Sequence, residues 1–309
     1  MSDPIRISRM ASLHETFARR ALPQAQQALS EIREKTTSGQ RVNRASDDPN
    51  AHTRITQLDE LVRRQDQYQK NIGNARGWLQ QTEQQLSHIQ DLVQDGYETA
   101  LKGRDDAVLT QGERDTMAEQ VQSLIDDLQS TLNTKHGATG EYLFAGTQTD
   151  TQPFTKNAPP PPNDVVYNGN TTEATRRIAD GVRLPVSISG DRVLSGMGGN
   201  DLVQRLEDLR QGLLNNNQND IKDAIGELKT ANEHVISLTT EVGSRLKRLG
   251  TAEAHLEEAT ISHRDRRSDL EDVDYTEALS ELQHHQTRYQ AALKVSSQVL
   301  RNSSLVDFI

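Results

Sequence analysis

Residues able to do chemistry are sparse along this 309-residue chain. A helix carrying His-Glu-x-x-His sets two imidazoles one turn apart, a zinc site with the glutamate as general base. His14-Glu15 begins that pattern, but its fifth position is Ala18. Glu281-x-x-His284 is half of the pattern used by di-iron helical bundles, which need a second such pair and two more carboxylates on facing helices. No matching pair is evident, so charged neighbours on a solvated helix face are the expectation. GMGGND at 196–201 has the glycine content of a phosphate loop and partly resembles a calcium repeat. It occurs once and lacks Gly-Lys-Ser/Thr, and it reads as a linker. No Gly-x-Ser-x-Gly elbow is present, and the nine histidines are scattered. Arg63-Arg64, Arg176-Arg177 and Arg266-Arg267 lie among acids, as on solvated faces or in intersubunit ion pairs. The expectation is a protein that is not an enzyme and uses no cofactor or metal. A metal-binding or enzymatic bundle built on Glu281 and His284 remains an alternative.

The composition points to thin helical packing. Hydrophobic residues make up 33% of the chain and aromatic residues 4%, and mean hydropathy is −0.77. A coiled-coil seam needs only two apolar positions in seven, roughly 29%, so this supply suits elongated helices better than a thick core. Lys and Arg total 35 against 45 Asp and Glu, a net charge of −10. That argues against a general nucleic-acid binder, which needs a cationic footprint. Cysteine is absent, which excludes disulfides, Cys-ligated metal and thiol nucleophiles. No apolar run approaches the ~18–20 residues of a membrane span, so no membrane partner is expected. MSDPIRISRM lacks the apolar stretch of a secretory signal. The expectation is a cytoplasmic protein, or one exported without cleavage.

Proline maps the elements that must carry these residues. None occurs between Pro49 and Pro153, or after Pro185. Since proline breaks helix interiors, both stretches are candidates for long helices. From Ala51 every seventh position reads Ala51, Leu58, Gln65, Ile72, Leu79, Leu86, Val93, Ala100. That is a coiled-coil seam, about 75 Å long over roughly 50 residues. Asp48-Pro49 suits its N-cap and first helical position. An earlier helix is expected over about 8–37, ended by Gly39 in the left-handed conformation. Thr110-x-x-Glu113 reads as a capping box opening a third helix, with Gly137 and Gly140 ending it. Around 141–197, EYLFAG, DVVYNG and VRLPVSISG read as strands and turns, and the four prolines 159–162 as an extended loop. A second seam runs Ile221, Leu228, Val235, Val242, Leu249, Leu256 and weakens at His263. A last helix is expected from Asp274.

The fold class expected is mainly α: an elongated antiparallel helical rod formed by both terminal regions, with a small β-rich inserted outer domain. Its parts are an N-terminal coiled-coil helix (1–40), two rod halves (41–140 and 198–271), the insert (141–197) and a C-terminal coiled-coil helix (272–309). Amphipathic helices running to both termini either close a monomeric bundle or join neighbouring copies. The thin apolar supply and the apolar end SLVDFI favour the second.

SGQRVNRASDDPN at 38–50 resembles the N-terminal signature of the flagellin superfamily, and the stretch from LEDVDYTEAL to SSLVDFI at 270–309 resembles its C-terminal signature. Pro49 after the aspartate pair, GEYLFAGTQTDTQPF at 140–154 and the ending SSLVDFI are more similar to the hook–filament junction branch than to flagellin proper. A short flagellin remains the alternative, and an adhesive role for the insert another. The resemblance implies a non-catalytic extracellular component of the bacterial flagellum, leaving by flagellar type III export without a cleaved signal. It implies termini that order on assembly and partners of four kinds: further copies in a ring, the first hook-associated protein, flagellin, and a cytoplasmic export chaperone at the C-terminal helix. It implies structural roles for Gly39, Asp47, Asp48 and Pro49 in the turn into the rod, and for Leu293, Leu300, Leu305 and Phe308 in the terminal coiled coil.

Overall fold

The computed structural model describes residues 4–104, 109–137, 139–156, 165–194 and 202–306, with side chains described only between 20 and 298. The fold is mainly α with a small β-containing region. In chain order the elements are α1 (Pro4–Ser38), α2 (Pro49–Gly103), α3 (Gln111–Leu132), β1 (Phe154–Lys156), β2 (Val165–Tyr167), β3 (Thr175–Ala179), β4 (Val182–Pro185), α4 (Gly190–Leu194), α5 (Leu202–Leu214), α6 (Gln218–Glu271) and α7 (Tyr275–Val306). They form two compact units: Gln65–Glu258, and both chain ends, Met1–Arg64 with Ala259–Ile309.

The Gln65–Glu258 unit is organised by the seven-residue repeats. Ile72, Leu79, Leu86 and Val93 of α2 and Ile221, Leu228, Val235, Val242 and Leu249 of α6 are fully buried. Each such side chain contributes about 1.5–3 kcal/mol relative to exposure. The two helices run antiparallel here. Arg76 pairs with Glu253, Gln94 with Asn232, and Gly103 lies against Ile221. α3 starts at Thr110 with the full capping box and packs against α5. Gly96 lets α5 come close, since a β-carbon there would stand 2.7 Å from Leu206 Cδ2.

Three expectations need correction. α3 ends at Leu132, not near Gly137. Asn133 leaves the helix because its side chain pairs with the Phe154 backbone through both its amide nitrogen and its oxygen, at 3.0 Å each. EYLFAG is not a strand: Leu143, Phe144 and Ala145 are all buried, whereas a half-buried strand alternates. Only Tyr142 bridges, to Lys135. The third correction is α5, unforeseen although Leu202, Leu206, Leu209 and Leu213 have helical spacing and are fully buried.

The β elements are two antiparallel pairs, β1–β2 and β3–β4. An ionic cluster ties this region to α6. Arg192 pairs with Glu173 and Glu241, and the buried Arg245 binds both carboxylates and the Ser187 carbonyl. The proline run 159–162, GMGGND at 196–201 and Phe308 lie outside the described residues.

In the unit built from both ends, α1 packs on α7. Leu29 and Ile32 meet Ala278, flanked by Val273, Leu282 and Tyr289. A second small cluster joins Val42, Ala51 and Ile55 to Leu270.

Candidate assembly interface

The segments 38–50 and 267–277 meet in space. Gly39 takes φ +74°, the left-handed conformation that suits glycine, and donates its amide to the Lys35 carbonyl at 3.0 Å, closing α1. Its own carbonyl accepts the Val273 amide at 2.9 Å, and the Arg41 amide donates to the Glu271 carbonyl at 2.6 Å. Between them Gln40 and Asp272 form an antiparallel bridge, and Gln40 Nε2 reaches Glu271 Oε1 at 2.5 Å. The chain entering α2 and the chain leaving α6 are thus joined by backbone hydrogen bonds.

Two adjacent carboxylates shape the turn. Asp47 accepts the amides of Asn43 and Arg44 at 3.0 and 2.9 Å. Asp48 caps α2, accepting from Asn50 and Ala51 at 3.1 and 3.0 Å. Pro49, lacking an amide donor, takes the first helical position, where none is needed. Both carboxyls are held below the ordinary range, Asp47 chiefly by the Arg44 amide and Asp48 chiefly by the Ala51 amide. Arg41 reaches across: one guanidinium nitrogen is 3.6 Å from Asp48 and another donates to the Leu270 carbonyl at 2.7 Å. Arg267 pairs with Asp59 and Glu271. Asp274 caps α7 through the amides of Thr276 and Glu277.

Gly39, Asp47, Asp48 and Pro49 therefore come together in one turn. Arg41, Glu271 and Tyr275 belong to the same arrangement, and sequence reasoning gave them no role although all three stand inside the quoted signature stretches. Leu293 is placed elsewhere, along α7. Leu300 and Leu305 lie in the α7 backbone, their side chains outside the description, as is the whole of Phe308.

Beyond what α1 covers, the otherwise polar outer surface of α7 exposes a few large apolar side chains. Next to the covered stripe of Ala278, Leu282 and Tyr289 runs a second, in which Tyr275, Leu279 and Leu293 are 55%, 50% and 42% exposed. Leu279, Gln286, Leu293 and Leu300 repeat at seven residues, the spacing of a coiled-coil seam. Glu281 and His284 are both exposed. Among the described residues no three His, Asp or Glu side chains are grouped to hold a metal, and no helix is long and apolar enough to cross a membrane.

Known proteins resemble this chain at both of its ends. Residues 12–149 match the bacterial flagellin N-terminal helical region, and 223–309 match the bacterial flagellin C-terminal helical region. Flagellar hook-associated protein 3 of Escherichia coli is 23% identical over 89% of this chain and 91% of its own length. Among solved structures, a flagellar hook-associated protein of Vibrio parahaemolyticus superposes with a TM-score of 0.67 at 24% identity, over 73% of this chain and all of that one. The flagellar junction protein FlgL of Legionella pneumophila gives 0.59 at 16% identity, over 72% of this chain and all of that one. Both ends of the chain carry the helical regions that define one family, and the protein belongs to the bacterial flagellins and their hook-associated relatives.

Proposed function

We propose that this chain is a structural subunit at the hook–filament junction of the bacterial flagellum, with no catalytic step. The observation that carries the reading is the uncovered stripe Tyr275, Leu279, Leu293 beside the one α1 already fills. A helix with two adjacent apolar stripes and one internal partner gains burial when a neighbouring subunit supplies the second. The names of the relatives in Escherichia coli and Legionella pneumophila support placing that assembly at the junction.

In this reading copies of the chain form a ring by heterologous contacts. They rest on the first hook-associated protein and receive flagellin above. The chain leaves the cell through flagellar type III export and stands outside it. Before export, a chaperone covers the α7 stripe that later packs in the tube. The parts of the chain keep the limits expected from the sequence, with 141–197 facing outward.

Gene disruption followed by electron microscopy tests this. Cells without the chain should keep hooks, lack filaments and shed unpolymerised flagellin into the medium. Full-length filaments on the disrupted cells would overturn the reading.

A further inference from the structure

Two surfaces of the Gln65–Glu258 unit carry unbalanced charge of opposite sign. The first is an open groove of about 630 Å³ between the β3–β4 hairpin and α6, with Ile178, Val182, Ala252 and Leu256 in its apolar lining and Lys247 and Arg248 among its polar residues. On the hairpin face opposite Val182 and the buried Leu184, Arg177 pairs directly with Arg183 across the strands. Like charges directly opposite each other destabilise a strand pair. Neither arginine, nor Lys247 or Arg248, has a carboxylate partner among the described residues. Asp180 at the turn is the hairpin's one acid.

The second surface is the solvent face of α3. Glu113, Asp115, Glu119, Asp126 and Asp127 are all exposed, and the helix's single basic residue, Arg114, is buried. At 3.6 residues per turn, Thr116 and Ser123 fall on the same face, between the edge of Asp115 and Glu119 and the edge of Glu113 and Asp127. The face is therefore a shallow track of small side chains with carboxylates on both sides. Asp115 and Glu119 are four residues apart, a like-charge spacing that also costs stability. α3 contributes nothing to the groove.

We propose that the α3 face of one copy docks on the hairpin–α6 groove of a second copy of this chain. Val182, 40% exposed, meets the small-residue track, while Lys247 and Arg248, which line the groove with it, reach the flanking carboxylates. Each surface carries neighbouring like charges in a lone chain, Lys247 beside Arg248 on one and Asp115 four residues from Glu119 on the other, and each set relieves the other. Pairing groove to groove or α3 to α3 would add to that repulsion, so charge selects a heterologous contact, the kind that builds rings and helical tubes. The inference rests on the flagellar reading and adds a contact separate from the α7 stripe.

The test is a charge exchange in the native host, reading the amount of this chain in purified flagella relative to hook protein. Glu119→Lys with Asp127→Lys, and separately Lys247→Glu with Arg248→Glu, should each lower recovery at least fivefold. The variant carrying all four should return to within twofold of the parent. Singly reversed variants that assemble normally, or a four-fold variant no better than either, would overturn the contact. All four positions are exposed, and circular dichroism of the purified variants checks folding. If a reversed variant unfolds, a thiol cross-link decides: the chain has no native cysteine, so Val182→Cys with Ser123→Cys should give linked copies in flagella under a short bis-maleimide, and neither single variant should. Absence of linked copies would overturn the inference. Absence of the parent chain from purified flagella would instead remove the junction reading, and this contact with it.

Discussion

The hydroxyl of Tyr275, at the first turn of α7, stands 2.6 Å from where a β-carbon on Gly39 would be. The close of α1 and the start of α7 thereby approach at a point where an added β-carbon would make the tyrosine tip give way. Gly39→Val meets two obstacles, the tyrosine and a φ of +74°, the second alone costing about 1–2 kcal/mol. The expected outcome is local: faster proteolysis around 38–50 and failed assembly. The urea transition reported by Trp78, the chain's single tryptophan and a member of the other unit, should be unchanged. Equal loss of both would contradict this. Tyr275→Phe in the same chain should recover part of the proteolytic resistance.

Acid should loosen the same turn. The folded-state values of Asp47 and Asp48 are depressed by backbone amides. Their contribution is present above the ordinary carboxylate range and is lost as pH falls through the depressed folded values. Asp48→Asn keeps an N-cap acceptor of similar quality but has no charge to lose. The variant should match the parent in proteolysis of 38–50 at neutral pH and show a weaker increase in acid.

Arg245 binds Glu173, Glu241 and the Ser187 carbonyl at the seat of the β-region. Its side chain is 7% exposed, against 38% for Arg192. Arg245→Ala should cost about 2–3 kcal/mol by leaving buried acceptors unpaired, and Arg192→Ala about 1 kcal/mol because water replaces much of what is lost. Urea denaturation followed by Trp78 fluorescence measures both, and equal losses would show that burial does not set the difference.

Gly96→Val should destabilise by about 1–3 kcal/mol through overpacking, because Leu206 occupies the space. Gly73→Ala, with nothing within 4 Å of its added carbon, should be neutral or slightly stabilising. Thermal unfolding of the pair separates close approach from backbone freedom.

Much of this was legible in the sequence where one side chain type recurs at a fixed interval. The positions from Ile72 to Val93 and from Ile221 to Leu249 are buried as their spacing requires, and Asp48-Pro49, Thr110 and Asp274 start helices as their capping chemistry requires. What was missed was short, marked only by turn chemistry, or dependent on contacts distant in sequence. α5 has a clear period but only 13 residues, short enough to vanish beside two seams of over 50. The β3–β4 hairpin carries an Asp180-Gly181 turn signal, with Gly181 at φ +70°, that a search for apolar runs passes over. Asn133 ends α3 by pairing with Phe154, 21 residues on. In the candidate interface the local roles of Gly39 and Asp48 could be read from turn and cap chemistry. Arg41 could not, because its acceptor, Leu270, lies 229 positions away.

The central claim is that the second apolar stripe of α7 is covered by a neighbouring copy. Leu279→Ser with Leu293→Ser should leave monomer stability within about 0.5 kcal/mol, as exposed substitutions do, while abolishing incorporation into flagella. The most direct measurement is amide hydrogen exchange over 275–298, made on the dilute chain and on the same chain within purified flagella. Exchange should slow at least tenfold on assembly across the turns carrying Leu279 and Leu293. Identical rates in the two states would contradict the claim.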